Sequence, residues 1–431
     1  MKAWNISGEI LPISVNEEIH RLFNRGNMKR RRICMTVSSG IFGIFLILFY
    51  PLYTFAQDST KTFEIYGAVA TDAGYNFNTI DPAWYDVMRP TKLPAYEGQF
   101  APAGNTFFGV RQSKFGVRSS FPTAAGQLLT RFDIDLFGFG KDAGQTTFHI
   151  VNAYGQLGKL LVGQTASAFM DMEVFPVTMD YWGPASRNFM FNIQIRYTPI
   201  DNKNDRFCIA LERPGATADE GDDLAIPGLA ETKGVFRFPN LSGNYRHNLS
   251  WGYVQAGFML KSLRWTTTPG VAQVDLSGNT AAWGFNVSTV VNASQRIKFK
   301  FQGVGGEGIG NYFADVLPDI GLKSNPDPSR PALGTALPLW GFFLFTEIAW
   351  TKVLNSSIGY SMEEVKNSDL QSASAVRLGQ YGLVNLFARL RPDWLVGIEY
   401  QYGRRDNFQD RFHSVGNKIQ FSVKINFSSK F

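Results

Sequence analysis

The sequence predicts an all-β fold, a transmembrane antiparallel β-barrel of about 16 strands with short turns at one end and long loops at the other. Three observations predict it. Segments alternate apolar and polar residues with a period of two, aromatic residues recur at the ends of those segments, and the connections alternate in length. Composition agrees: 18 % of the 431 residues are charged, against roughly 25 % in globular chains, and the chain holds 37 Phe and 42 Gly.

The one long apolar run, Ile41 to Tyr50, follows Lys29-Arg30-Arg31-Arg32, which is the layout of a secretory signal peptide. Thr54-Phe55-Ala56 supplies small residues for cleavage before Gln57. Residues 1–27 read as lying upstream of the initiator Met28, 28–56 as the signal peptide, and 57–431 as the outer-membrane barrel. Pro51 and Tyr53 interrupt the run before the ~20 apolar residues of a spanning helix accumulate. The leader holds seven of the 42 Lys and Arg and three of the 36 Asp and Glu, so the mature chain carries a net charge of about +2. Nucleic acid is therefore excluded as a partner despite the sequence pI of 9.1. Cys208 is the single cysteine beyond the leader, which excludes an intrachain disulfide and a thiolate metal cluster, and neither a metal nor another cofactor is expected.

Taken in chain order, the strand segments begin with Phe63 to Ala73 and Thr106 to Ser119. In Arg131 to Leu136, Phe132, Ile134 and Leu136 alternate with Arg131, Asp133 and Asp135. Thr146 to Leu157 and Leu160 to Thr165 follow. Phe189, Phe191, Ile193, Ile195 and Tyr197 alternate with Met190, Asn192, Gln194 and Arg196; Phe207, Ile209 and Leu211 alternate with Arg206, Cys208, Ala210 and Glu212. Next come Val235 to Tyr245, Gly252 to Leu263 and Ala281 to Val290. Ile297, Phe299 and Phe301 alternate with Arg296, Lys298, Lys300 and Gln302. Trp340 to Val353, Ser357 to Val365, Gly379 to Leu390 and Leu395 to Tyr402 precede the last segment, where Ile419, Phe421, Val423, Ile425 and Phe427 alternate with Lys418, Gln420, Ser422, Lys424 and Asn426. A soluble β-sandwich shows the same alternation. The aromatics at segment ends (Tyr197, Trp265, Trp283, Trp350, Trp394, Tyr400, Phe427) favour membrane girdles instead.

Gly158-Lys159, Thr198 to Asp205, Ser294-Gln295, Leu354 to Ser356 and Arg391 to Asp393 read as short periplasmic turns. Asn78 to Asn105, Ala166 to Arg187, Arg213 to Gly234, Gly303 to Leu339 and Gly403 to Gly416 read as long external loops, rich in the Pro, Gly and Asp that turns need.

By phase, Lys114, Arg118, Arg131, Arg196, Arg206, Lys298, Lys300, Arg389 and Lys424 face the lumen, where they outnumber Asp133, Asp135, Glu212 and Glu399. A cationic wall concentrates anions. For any one of these bases a structural ion pair is the plainer role. The loop 166–187 offers Phe169, Asp171, Glu173 and Asp180 as a constriction, or as ordinary solvated loop residues. Phe431, in phase with Phe421 and Phe427, has the character of a C-terminal assembly signal. A barrel hydrolase finds little support: of His149, His247 and His413, His149 falls in the lipid-facing phase or at a strand edge, and no G-x-S-x-G elbow is present. The run Gly303 to Gly310 lacks the Lys-Ser/Thr of a phosphate loop and reads as a flexible loop root.

Several strings resemble one family, the DcaP-like trimeric outer-membrane porins of Gram-negative bacteria. They are Gln112 to Arg118 (QSKFGVR), Ala153-Tyr154-Gly155, Gly158 to Thr165 (GKLLVGQT), Phe169-Met170-Asp171, Trp182-Gly183-Pro184 and Gln194 to Thr198 (QIRYT). The family commonly has Arg where this chain has Lys114, and an aromatic at Ala166-Ser167. The resemblance implies a sixteen-stranded homotrimer passing small anions such as dicarboxylates, in contact with membrane lipids and lipopolysaccharide and delivered by the outer-membrane assembly machinery. The coiled-coil extension of some relatives is not expected here. The rival expectation is a structural or adhesive barrel with a blocked lumen.

Overall fold

The computed structural model describes residues 61–219, 229, 231–268, 270 and 274–431; the readings for 1–27 and 28–56 lie outside the described residues. Sixteen antiparallel strands close into one barrel. They are β1 (Thr62–Asn76), β2 (Lys114–Thr123), β3 (Gly126–Phe137), β4 (Thr146–Leu157), β5 (Leu160–Ala166), β6 (Phe191–Asp201), β7 (Asp205–Glu212) and β8 (Asn240–Leu249). The second half comprises β9 (Gly252–Thr267), β10 (Gly278–Asn292), β11 (Ile297–Glu307), β12 (Pro338–Ala349), β13 (Leu354–Val365), β14 (Val376–Arg391), β15 (Trp394–Asn407) and β16 (His413–Lys430). β1 pairs with β16 from Glu64↔Lys430 to Asn76↔Lys418, which leaves the sheet without a free end. Closure is what lets strands cross a membrane, because no first or last strand is then left without a neighbour. No described helix is long and apolar enough to cross a membrane.

Alternation sets the two faces. On β16, Lys418, Gln420 and Ser422 are buried toward the interior while Ile419 and Phe421 are exposed outward. On β6, Asn192 and Gln194 point in, and Ile193, Ile195 and Tyr197 point out. An outer surface of Phe, Ile, Val and Leu is stable in hydrocarbon and unstable in water, so the fold fixes the solvent.

The strand ends depart from expectation where polarity or glycine misleads. Gly303 to Glu307 continues β11 against Val287 to Trp283, and is no loop root; a Cβ on Gly306 would stand 2.0 Å from the Trp283 carbonyl oxygen. Arg404 to Asn407 and His413 to Gly416 are strand, since Arg404 pairs with Asp406 at 2.8 Å and Arg405 donates inward to the Thr91 carbonyl. Thr106 to Ser119 breaks in two. Asn105–Gly109 pairs with the end of β1, then Arg111 turns in to a buried pair with Asp86 before β2 begins. The turn after β12 is 350–353, not Leu354 to Ser356, and the strand read as Val235 to Tyr245 starts at Asn240, after Pro239.

At the long-loop end, loop 1 spans 77–113, loop 2 138–145, loop 3 167–190, loop 4 213–239, loop 5 268–277, loop 6 308–337, loop 7 366–375 and loop 8 408–412. Loop 6 forms a hairpin, Ile320–Ser324 with Ala332–Ala336, which takes Ala218–Asp219 of loop 4 as a third, parallel strand. Lys261 of β9 ties it down through a buried ion pair to Asp319, 3.1 Å. Burial pushes the Asp319 carboxyl above its usual range, and the Lys261 charge pulls it back.

Candidate functional site in the barrel lumen

A barrel of ~16 strands leaves an aqueous channel unless something fills it. Here three loops fold inward. Loop 3 leaves β5 and runs along the inner wall, held at each step by an inward-facing polar side chain. Ser167 Oγ and the Ala168 amide donate to Glu212 at 2.6 and 3.0 Å. The Phe169 carbonyl accepts from Asn286 at 3.0 Å. Asp171 accepts from Arg246 at 2.7 Å, Ser288 at 2.6 Å and Tyr253 at 2.8 Å. Lys300 Nζ donates to the Phe175 carbonyl at 2.6 Å, and the Val177 amide donates to Glu347 at 2.9 Å. The amides of Met179 and Asp180 donate to Glu399 at 2.7 and 2.8 Å, and Tyr181 reaches Asp135 at 2.5 Å. A loop whose backbone groups are satisfied by the wall stays inside without water to solvate it.

Its apolar side chains complete two inner clusters. Val174 and Ala185 pack with Met88 and Leu93 of loop 1 and with Phe343, Phe345, Tyr381 and Leu383 of the wall. Phe169 packs with Met259, Val304 and Leu339 of the wall and with Ile309, Tyr312 and Phe313 of loop 6. Sequence reasoning missed both clusters. The signal was present: β12 is apolar on both faces, with Leu339, Phe343 and Phe345 inward and Trp340, Leu344 and Ile348 outward, and an inner face of that kind is covered by something.

The acids of loop 3 have distinct places. Asp171 and Asp180 are buried anchors, Asp180 accepting from Tyr381 at 3.0 Å. Glu173 shares Arg246 with Asp171, at 2.7 Å, and its side chain is 65 % exposed, so it alone of the three presents charge to the lumen. Phe169 is fully buried. Arg187 stacks on Phe189 and Phe175, its guanidinium centred 4.3 and 5.1 Å from the rings, and burial lowers its pKa to about 10.

The bases divide by partner. Arg118 pairs with Glu64 at 2.8 Å and Arg131 with Asp133 at 2.6 Å. Arg196 bonds Gln194 and the Ala166 carbonyl, and Lys300 pairs with Glu347 at 3.0 Å. Lys298 is exposed on the strand end beside it, and Arg206 is half-buried with an unbonded Nε. Lys114, Arg389 and Lys424 stand together. Lys424 is opposite Leu395, Leu395 is opposite Arg389, and Ala70 and Ala68 of β1 carry the register from Lys424 to Lys114. Inward side chains two strands apart lie roughly 10 Å from each other at their Cα atoms, within reach of one small solute. Among the described residues no carboxylate pairs with any of the three. Asp72, the acid in the same recess, is engaged by Ser422 at 2.5 Å, Gln112 at 3.0 Å and Gln420 at 3.1 Å. The recess measures about 250 Å³ and is walled by Gln112, Val177, Thr178, Arg389 and Lys424.

Lys114 opens β2 opposite Ala68 of β1, and Arg206 and Lys298 are the second residues of their strands, next to short turns. Toward the long loops the lumen is filled by loops 1, 3 and 6, whose apolar clusters stand beside buried ion pairs, Arg89 with Asp315 and Arg111 with Asp86. His149 lies on the stretch of β4 beyond its ladder with β5, as the strand-edge reading expected, but its ring faces inward, 3.1 Å from Asp135, and not the lipid, because a bulge near Asp133 and Ile134 shifts the phase of β4. At the terminus, the Phe431 amide and carbonyl pair with Phe63 at 2.8 and 3.1 Å, and its ring is 72 % exposed.

The fold is similar to that of the outer membrane channel DcaP of Acinetobacter baumannii, with a TM-score of 0.72 at 17 % identity over 87 % of this chain and 100 % of that one. It is similar to an anion-selective porin from Comamonas acidovorans, TM-score 0.56 at 11 % identity over 85 % and 100 %. OmpT of Vibrio cholerae, solved in a trimer form, gives a TM-score of 0.50 at 11 % identity over 86 % and 100 %. No curated protein matches. The model of the DcaP outer membrane protein family matches residues 53–311, which places the barrel in the outer membrane of a Gram-negative bacterium among porin channels, and the chain belongs to that family.

Proposed function

We propose that this porin passes small anions by passive diffusion and that it works as a homotrimer. The observation that carries the anionic reading is the recess walled by Arg389 and Lys424, with Lys114 across β1 from Lys424; among the described residues none of the three bases pairs with a carboxylate, and the one acid of the recess, Asp72, is engaged. A cation cluster between low-dielectric walls raises local anion concentration and repels cations. Two carboxylates on one short solute can meet two of the three bases at once, which favours dicarboxylates over monovalent acids. The trimer rests on the family resemblance and on a fold shared with a porin solved in a trimer form. Liposomes carrying the purified chain are expected to swell faster in a short dicarboxylate than in a diamine of equal size. Equal rates, or a faster diamine, would remove the anionic reading.

A second reading is a barrel whose lumen stays blocked. The inner clusters of loops 1, 3 and 6 favour it, since they fill the half of the lumen nearest the long loops. Liposomes that swell in neither solute would support it.

A further inference from the structure

On the outer face of the barrel, apart from the lumen, a groove of about 570 Å³ lies beside β5, β6 and β7, where loop 4 leaves β7 and returns to β8. Its floor is the outward row of Val162, Ile193, Ile195 and Leu211, and Phe236 and Phe238 of loop 4 stand over it, Phe238 63 % exposed. Two arginines border it. The Arg213 amide donates to the Ile193 carbonyl at 2.8 Å, so the pairing of β7 with β6 runs one residue past Glu212 and leaves Arg213 exposed in the outward phase of Leu211. Loop 4 is tied to β9 just before the two phenylalanines, Lys233 opposite Thr266 and the Val235 amide donating to the Arg264 carbonyl at 2.8 Å. Just after them, Asn240 opposite Glu212 starts the pairing of β8 with β7. Phe236, Arg237 and Phe238 thus bridge two fixed points, and Arg237 is exposed at the groove.

No acid offsets the two arginines. Glu212, whose backbone runs along the groove, turns its carboxylate inward to Ser167 and Ser242, and among the described residues no carboxylate pairs with Arg213 or Arg237. An acyl chain alone would cover the apolar floor and leave both guanidinium groups unmatched; a small anion alone would match them and leave the floor bare. The occupant therefore carries hydrocarbon and an anionic group together, and in the outer membrane of a Gram-negative bacterium the leaflet on the long-loop side offers such a molecule. We infer that the groove is a discrete site for one phosphorylated, acylated lipid of that leaflet, its acyl chain along Val162, Ile193, Ile195 and Leu211 and its phosphate between Arg213 and Arg237. The planar fork of arginine pairs with phosphate through two parallel hydrogen bonds. Since no carboxylate faces the groove, the phosphate is held by guanidinium directly and needs no bridging divalent cation. The site goes beyond the pore reading and does not rest on it.

The test uses the full protein, purified in a mild detergent and stripped of lipid, with native mass spectrometry as the readout and lipid A, a phosphorylated acylated disaccharide, as the probe. One lipid A per chain is expected, and it is expected to stay bound in EDTA. Arg213→Gln combined with Arg237→Gln, checked for a folded barrel by heat-shifted gel mobility, is expected to bind roughly thirtyfold more weakly, the loss of two bases beside an anionic headgroup. Wild-type protein is expected to lose a similar factor when the phosphates are removed from the lipid. Lys141→Gln combined with Lys323→Gln takes the same charge from exposed positions of loops 2 and 6 outside the groove and is expected to bind like wild type. Absence of bound lipid, equal affinity of wild type and the arginine variant, equal affinity for the dephosphorylated lipid, an equal loss in the lysine variant, or release by EDTA would each overturn the inference. Inorganic phosphate that displaces the lipid at equal concentration would mark an ion site in which the acyl chain has no part, and would overturn it as well.

Discussion

Replacing Asp171 with Asn tests whether loop 3 is held by the wall. Asp171 is buried and accepts from Arg246, Tyr253 and Ser288. An Asn side chain has one acceptor oxygen and turns an amide group toward a donor that formerly bonded a carboxylate. Arg246 keeps Glu173 at 2.7 Å, so no bare buried charge results. The loss is one hydrogen bond to a charged group, roughly 1.5–3 kcal/mol, and one buried donor facing another, roughly 1–3 kcal/mol. A total of roughly 2.5–6 kcal/mol multiplies the undocked population of the segment around Asp171 by at least about a hundred. Glu212, Lys300 and Glu399 still hold the loop, so the barrel stays folded and the loop stays inside for most of the time. In single-channel recordings the variant is expected to show added open-channel noise and brief higher-conductance events. A folded variant whose conductance and noise match wild type would refute the anchoring argument.

Two neighbouring lysines are expected to behave differently. Lys298→Glu reverses a charge that no described residue pairs with and is expected to move the reversal potential toward cations, whereas Lys300→Glu faces Glu347 and loses the bond to Phe175, so it is expected to give unstable channels. Identical behaviour of the two, read in the same bilayer assay, would contradict their placement. Phe431→Ala keeps the backbone pairing with Phe63 and removes an exposed ring, so thermal stability of the folded protein is expected to hold while the amount assembled in the membrane falls several-fold. Unchanged membrane yield would show that the ring is no assembly signal.

Much of the barrel was legible because a period of two is a local property. Every one of the sixteen segments read from alternation corresponds to a wall strand, and the Thr146 to Leu157 boundaries agree to the residue. Ends were less legible. Arg404 to Asp406 look like a loop because three charged residues in a row break the pattern, yet they continue β15 by pairing with each other and with loop 1. The lumen was legible only in part. Phase places Lys114, Arg389 and Lys424 inward, but their proximity depends on the register between β14, β15, β16, β1 and β2, which no single segment carries. The anchoring of loop 3 was out of reach for the same reason, since Asp171 meets residues more than seventy positions away.

The central claim is an anion-passing lumen, and the reversal potential of the purified wild-type protein in a planar bilayer under a potassium chloride gradient tests it most directly. The account predicts a potential displaced toward the chloride equilibrium value, and a smaller displacement once Lys114, Arg389 and Lys424 are all replaced by Gln. A wild-type potential at zero, or displaced toward the potassium value, would contradict it.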